Sequence, residues 1–304
     1  MIARGPTWCV VAALVVGLAA CGTSGDDDTG RTGPATSSSS ATPTASTAAP
    51  TPRTGTPSTT PTTTTPPSTR PPAPTPAPSA TRTPTRPSPD GCALAAKYRG
   101  QDVEVVPATS RIALLTFDGG ASSTGVTSIL STLAAERAAA TFFLTGDFVR
   151  RHPSATAAIS SAHPVGNHTD THPDLTTLPS TAVVDEIRKG AAAIRSGTGR
   201  PPGPWFRFPY GARDARTIDL VNDECAVAVR WTVDSLGWKG TSGGMTTAKV
   251  RDRVLAAARP GMVVLMHVGA NPDDGTTLDA AALPAIIDGL RARGYAFVTL
   301  QQAL

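Results

Sequence analysis

IALLTFDGG, Ile112 to Gly120, runs through six apolar or β-favouring residues and stops on a carboxylate followed by two glycines. A run of that length with such an ending predicts a strand buried on both faces, the kind a parallel sheet uses. Behind it, Thr124 to Arg137 places Val126, Ile129, Leu130 and Leu133 on one helical stripe, with Ser123 available as a cap. The alternation then repeats. Strands are expected at Thr141–Leu144, Pro164–Val165, Trp205–Phe208, Ala226–Val233, Met262–Met266 and Ala296–Leu300. Helices are expected at Phe148–Ala162, Thr181–Ile194, Arg216–Asp223, Thr247–Ala258 and Leu283–Arg293. Repeated strand–helix units imply parallel strands with helices outside them, hence an α/β barrel or an open sheet.

In a barrel of this type, chemistry collects on the loops at the C-terminal ends of the strands. Asp118, His168, His172, Arg207, Asp234 and His267 all fall just after expected strands. Two of only five histidines lie in GNHTDTH, Gly166–His172, four residues apart. On a helical turn that spacing puts both imidazoles on one face, where they can share a cation. The same spacing also suits a solvated face or a hydrogen-bonded pair. His152 and His163 sit in no ligand-like pattern and are read as structural.

Before this head the sequence has another character. Residues 1–20 read as an export signal, with Arg4 ahead of an apolar run from Val10 to Leu18 that is too short for a membrane span. The order Leu18-Ala19-Ala20-Cys21 resembles a bacterial lipobox, which makes Cys21 a lipid-bearing residue and places the protein outside the cytoplasm, anchored to the cell membrane. Residues 21–90 are rich in Pro, Thr, Ser and Ala and lack larger aliphatic residues, so they cannot bury enough surface to offset chain entropy. They read as a disordered, extended stalk.

Residues 91–304 form one domain of ordinary size. The chain has 27 basic and 23 acidic residues, and six of the basic ones precede Gly91 along with four of the acidic ones. The head is therefore near neutral, and no basic patch points to nucleic acid. Of four cysteines, Cys92 and Cys225 remain in the head, either joined as a disulfide or buried as free thiols.

Five motifs in order resemble the polysaccharide deacetylase family with the NodB homology domain, carbohydrate esterase family 4. They are LTFDGG at Leu115–Gly120, GNHTDTH at Gly166–His172, RFPYG at Arg207–Gly211, DSLGW at Asp234–Trp238 and LMH at Leu265–His267. The resemblance implies a distorted (β/α) barrel and hydrolysis of acetyl groups on an N-acetylated polysaccharide. It also implies a divalent metal, zinc or cobalt, bound by His168 and His172. Asp118 is then the base that takes a proton from water, Arg207 holds Asp118 ionised, and His267 is the general acid. The backbone N–H of Tyr210 faces the oxyanion, and Leu265 with Trp238 walls the acetyl pocket.

Two positions depart from the family pattern. Gly119 stands where the family has its third metal ligand, an aspartate, which leaves Asp118 itself or water for that place. Gly237 stands where the family has the acid that tunes the catalytic histidine, unless Asp234 substitutes for it. The resulting expectation is an anchored deacetylase acting on a cell-wall glycan, with peptidoglycan favoured. The alternatives are an O-acetyl esterase on acetylated polysaccharide and a glycan-binding pseudoenzyme.

Overall fold

The computed structural model describes residues 89–304. The expected export signal, Cys21 and all but the last two residues of the expected stalk lie outside the described residues. The chain enters through helix α1 (Pro89–Lys97) and the short strand β1 (Asp102–Val103). It then runs β2 (Ile112–Gly119), α2 (Val126–Ala135), β3 (Ala140–Leu144), α3 (Gly146–Arg151) and α4 (Pro153–Ala162). Next come β4 (Val165–Asn167), α5 (Ser180–Thr198), β5 (Trp205–Phe206), α6 (Ala215–Asp223), β6 (Val227–Val229) and β7 (Val233–Asp234). The last part is α7 (Thr247–Ala256), β8 (Met262–His267), α8 (Leu278–Arg291), β9 (Ala296–Phe297) and α9 (Leu300–Ala303).

The strands pair in parallel in the order β1-β6-β5-β4-β3-β2-β8-β7, with β9 against the start of β2. One segment serves both ends of this sheet. β6 pairs β5 and β1, and a few residues later β7 pairs β8. Between them Arg230 N donates to Val103 O (2.9 Å) and Thr232 N to Val263 O (2.8 Å). The edges meet and the sheet curls into the expected distorted (β/α) barrel. The single strand expected over Ala226–Val233 is therefore two short ones.

Strand alternation sorts the side chains. On β2, Leu115 and Phe117 face outward into a core shared with Ile129 and Leu133 of α2 and Leu283 and Ile287 of α8. On the other face, Leu114 joins a second core with Phe143, Trp205 and Val263, and Asp118 follows at the strand's C-terminal end. On β8, Val263 packs in that inner core, and Leu265 and His267 follow it upward on the same face. Apolar packing thus fills the lower barrel, and polar groups emerge at the top.

Some expected boundaries move for identifiable reasons. The helix expected over Phe148–Ala162 breaks at His152 (φ −128°), because Pro153 disfavours helical geometry in the residue before it. α2 carries no side-chain cap; Ser123 Oγ instead meets His152 Nδ1 at 3.2 Å. α8 starts at Leu278, five residues before the expected Leu283, because its first turns are built on small buried alanines, Ala280 and Ala282. Cys92 and Cys225 form a disulfide, which staples α1 beside the N-terminal end of β6.

Candidate active site

Asp118, His168, His172, Tyr210, Trp238, Leu265 and His267 line one cavity of about 680 Å³ at the top of the barrel. Arg207 lies directly behind Asp118, fully buried. The eight residues singled out from the sequence therefore converge. Asp118 and His267 are neighbours by construction, since the β2–β8 register sets them side by side.

Arg207 fixes Asp118. Its Nη1 donates to Asp118 Oδ1 (2.8 Å), its Nε to Val229 O (3.2 Å) and its Nη2 to Arg230 O (3.0 Å). The guanidinium also lies 4.1 Å from the Phe143 ring centroid. Burial alone would raise the Asp118 pKa; the Arg207 charge and its hydrogen bond outweigh it and hold the carboxyl below its usual range. Asp118 is ionised at neutral pH, with Oδ2 left free toward the cavity.

The two histidines do not lie on a helical turn. They sit in the loop after β4, where Thr169 (φ 72°) and His172 (φ 67°) take left-handed backbone that β-branched and bulky residues rarely adopt. Surrounding bonds hold this geometry. Thr169 N donates to Asn167 Oδ1 (3.1 Å), and Asn167 Nδ2 donates to Ile187 O on α5 (2.8 Å). Glu186, also on α5, accepts the backbone N–H groups of Asp170 (3.0 Å) and Thr171 (2.9 Å). The imidazoles end 4.8 Å apart in edge-to-face geometry, and His172 in turn meets the Tyr210 ring at 4.7 Å. Asn167 and Glu186 were not singled out from sequence, though Asn167 stands inside the quoted motif.

His168 donates from Nδ1 to Arg207 O (2.8 Å), so its Nε2 lone pair points at Asp118 Oδ2, 3.5 Å away. Burial depresses the pKa of both imidazoles, that of His172 to about 4, and keeps them neutral. An imidazole acceptor thus faces a carboxylate acceptor, an arrangement that a cation between them resolves. Among the described residues no cluster of three or more His, Cys, Asp or Glu is gathered for a metal. Gly119 offers no side-chain ligand, and a Cβ there would meet Leu144 Cδ2 (2.7 Å), Val268 and Phe148. The residues present fit a divalent cation through two imidazoles, with Asp118 Oδ2 lying 3.5 Å from His168 Nε2.

His267 has a different neighbour from the one expected. Asp234 does not face it: Oδ1 accepts Leu236 N (2.8 Å) and Oδ2 accepts the Trp238 indole N–H (3.1 Å). This bond orients Trp238, which is 46% exposed at the rim and meets the His267 ring edge-on at 6.5 Å. The carboxylate nearest His267 Nδ1 belongs to Asp279, at the start of α8, with Oδ2 3.5 Å away. Burial lowers the His267 pKa, but Asp279, then Asp118 and Asp234, outweigh it and the net shift is upward. Asp279 escaped the sequence reading because it lies in no motif.

The model of the polysaccharide deacetylase family matches residues 106–225. A chitooligosaccharide deacetylase of Rhizobium leguminosarum bv. trifolii is 36% identical over 199 residues, covering 62% of this chain and 89% of that protein. The chain belongs to the polysaccharide deacetylase family. A peptidoglycan-N-acetylglucosamine deacetylase, PgdA, of Listeria monocytogenes serotype 1/2a is 33% identical over 210 residues, which span 69% of this chain and 42% of PgdA. Among solved structures, BA3943, a CE4 family pseudoenzyme from Bacillus anthracis, superposes with TM-score 0.61 at 26% identity, over 67% of this chain and 69% of that one. A mutant of BA3943 with restored enzymatic activity matches equally well, at 27% identity and TM-score 0.61 over 67% of this chain and 71% of that one. The distorted barrel is thus the NodB-type fold of this family, and as an enzyme the chain is a polysaccharide deacetylase. The family match ends before Asp234–Trp238 and Leu265–His267, so those residues rest on the geometry above.

Proposed function

We propose that this chain hydrolyses N-acetyl groups of a cell-wall glycan, peptidoglycan foremost, as a metal-dependent deacetylase held at the cell surface by lipid on Cys21 and by the Pro/Thr/Ser-rich stalk. The observation that carries this reading is the meeting of an ionised carboxylate, two neutral imidazoles and a third histidine around one cavity. A divalent cation held by His168 and His172 would polarise the acetyl carbonyl and acidify water. Asp118, kept ionised by Arg207, takes one proton from water as the water oxygen bonds to the carbonyl carbon. The backbone N–H of Tyr210 faces the resulting oxyanion. The carbon–nitrogen bond then breaks, the nitrogen takes a proton from His267, and acetic acid and a free amine leave, the acid giving its own proton to solvent. The proton on Asp118 returns to His267 through solvent. Trp238 and Leu265 wall the acetyl methyl group.

The test is acetate release by the purified chain from chitin oligomers, peptidoglycan and acetylated xylan, after chelation and after zinc or cobalt is returned. Metal-restored release from the N-acetyl substrates, absent in His168→Ala, supports the reading. Release from xylan alone would make the protein an O-acetyl esterase. Glycan binding without turnover under any metal would leave a binding protein on a catalytic fold, the reading that Gly119 favours.

A further inference from the structure

Gly237 leaves the fourth motif without its acid, yet a carboxylate fills the vacant space. A Cβ placed on Gly237 would stand 2.5 Å from the carboxyl carbon of Asp279. Asp279 is buried, and its bonds all run to this corner of the site. Ser235 Oγ donates to its Oδ1 (2.6 Å), and the same hydroxyl accepts the Gly237 N–H (3.2 Å). The backbone N–H of His267 donates to Oδ2 (2.8 Å). His267 Nδ1 is itself buried without a hydrogen-bond partner at ordinary distance, and the group it faces is that same Oδ2, 3.5 Å away. The remainder of the imidazole opens to the cavity.

We propose that Asp279 is the positioning residue for His267: its carboxylate, delivered from α8 into the space beside Gly237, holds the ring with Nδ1 protonated and turned inward, so that Nε2 serves the leaving amine. Glycine in the turn and aspartate on the helix are then one exchange, with the acid moved to another element while it addresses the same nitrogen. A side chain at Gly237 and the carboxylate at Asp279 exclude each other, which is why the two positions are linked. This inference rests on the reading of His267 as the acid of the proposed deacetylation.

Asp279→Asn separates positioning from mere support. Asparagine can accept the His267 backbone N–H, and the Ser235 hydroxyl can reverse to accept from its amide, so packing is retained while the charge is lost. The experiment compares kcat and KM on chitin oligomers for wild type, D279N, D279A, G237D, D279A/G237D and H267A. Long-range 15N–1H NMR of the His267 ring gives a readout independent of turnover. Expected are a fall of about 100-fold in kcat for D279N with KM changed less than about threefold, and, in D279A, where Nδ1 loses its acceptor, a mixed tautomer in place of the Nδ1–H form. G237D alone is impaired by crowding. D279A/G237D recovers at least about tenfold over D279A, because the acid has been returned to the turn. D279N with near wild-type kcat, or D279A with an unchanged tautomer, would overturn the proposal, as would a folded double variant no better than D279A. If wild type shows no turnover yet keeps the Nδ1–H form that D279A loses, the deacetylase reading fails while the positioning stands. If H267A turns over like wild type, the role given to His267 falls, and the proposal with it.

Discussion

At the scale of single residues, Arg207 decides whether the site exists. It is fully buried, and its three donor atoms reach three acceptors, of which only Asp118 is charged. Arg207→Met leaves that carboxylate buried without its cation, a change that costs about 3–5 kcal/mol. A lower urea midpoint and loss of acetate release are expected together. Arg207→Lys keeps the charge, but one ammonium cannot match a planar fork. Its turnover is expected to fall at least about tenfold, with stability reduced by about 1–3 kcal/mol. Lysine at wild-type turnover would show that charge alone matters there. His163 makes the complementary case, because burial beside the Phe142 ring lowers its pKa and nothing opposes that shift. The folded pKa lies below the unfolded value of about 6.5, so its contribution is complete above that pH and is lost as pH falls toward the folded pKa. His163→Gln should therefore flatten the drop in urea midpoint between pH 7.5 and 5.5. An equally steep drop in the variant would assign that acid sensitivity to other groups.

At the scale of elements, α5 is the platform on which the histidine loop rests. Its Glu186 and the Ile187 carbonyl tie the loop down, and Gly190 leaves room for it: a Cβ there would stand 2.5 Å from Asn167 Oδ1 and 2.6 Å from Thr169 O. Alanine is worth about 1 kcal/mol more than glycine inside a helix. Here that gain is expected to lose to displacement of a backbone carbonyl, so Gly190→Ala should lower both the melting temperature and turnover. A more stable, fully active variant would refute the platform. Glu186→Ala leaves the helix intact but frees two loop N–H groups. Turnover is expected to fall about 10–100-fold, the usual cost of losing a group that supports a ligand, with zinc or cobalt affinity reduced alongside it. The sequence offered the two histidines but misjudged how they meet, because an i, i+4 pair looks helical whether or not a helix forms. What unites His168 and His172 is left-handed backbone at Thr169 and His172, and no side-chain periodicity reports it.

At the scale of the whole molecule, the barrel was legible where its strands are buried on both faces, as in β2, β3 and β8, since such runs are apolar almost throughout. It was not legible where two residues suffice for a strand, as in β1, or where a kinked segment serves both sheet ends, as in β6 and β7. Asp279 was hidden for the same kind of reason: its meaning lies in a contact between the turn after β7 and the start of α8, and neither segment announces it alone. Parallel strands give the barrel two unlike ends. The cavity opens where the strands finish, and the Cys92–Cys225 disulfide lies where β6 begins. This separation supports a prediction that divides stability from catalysis. The bridge spans 133 residues of sequence, and a disulfide typically contributes about 2–4 kcal/mol, chiefly by constraining the unfolded chain. For a domain of this size each kcal/mol moves the melting temperature by about 2–4 °C. Cys92→Ser/Cys225→Ser is therefore expected to melt about 4–16 °C lower. At 25 °C its kcat and KM should match wild type, because no group around the cavity depends on the bridge. A loss of turnover at full folding would mean that the two ends are coupled through β6, whose Val229 carbonyl accepts from Arg207. An unchanged melting temperature would mean that the cores already hold α1 without the staple.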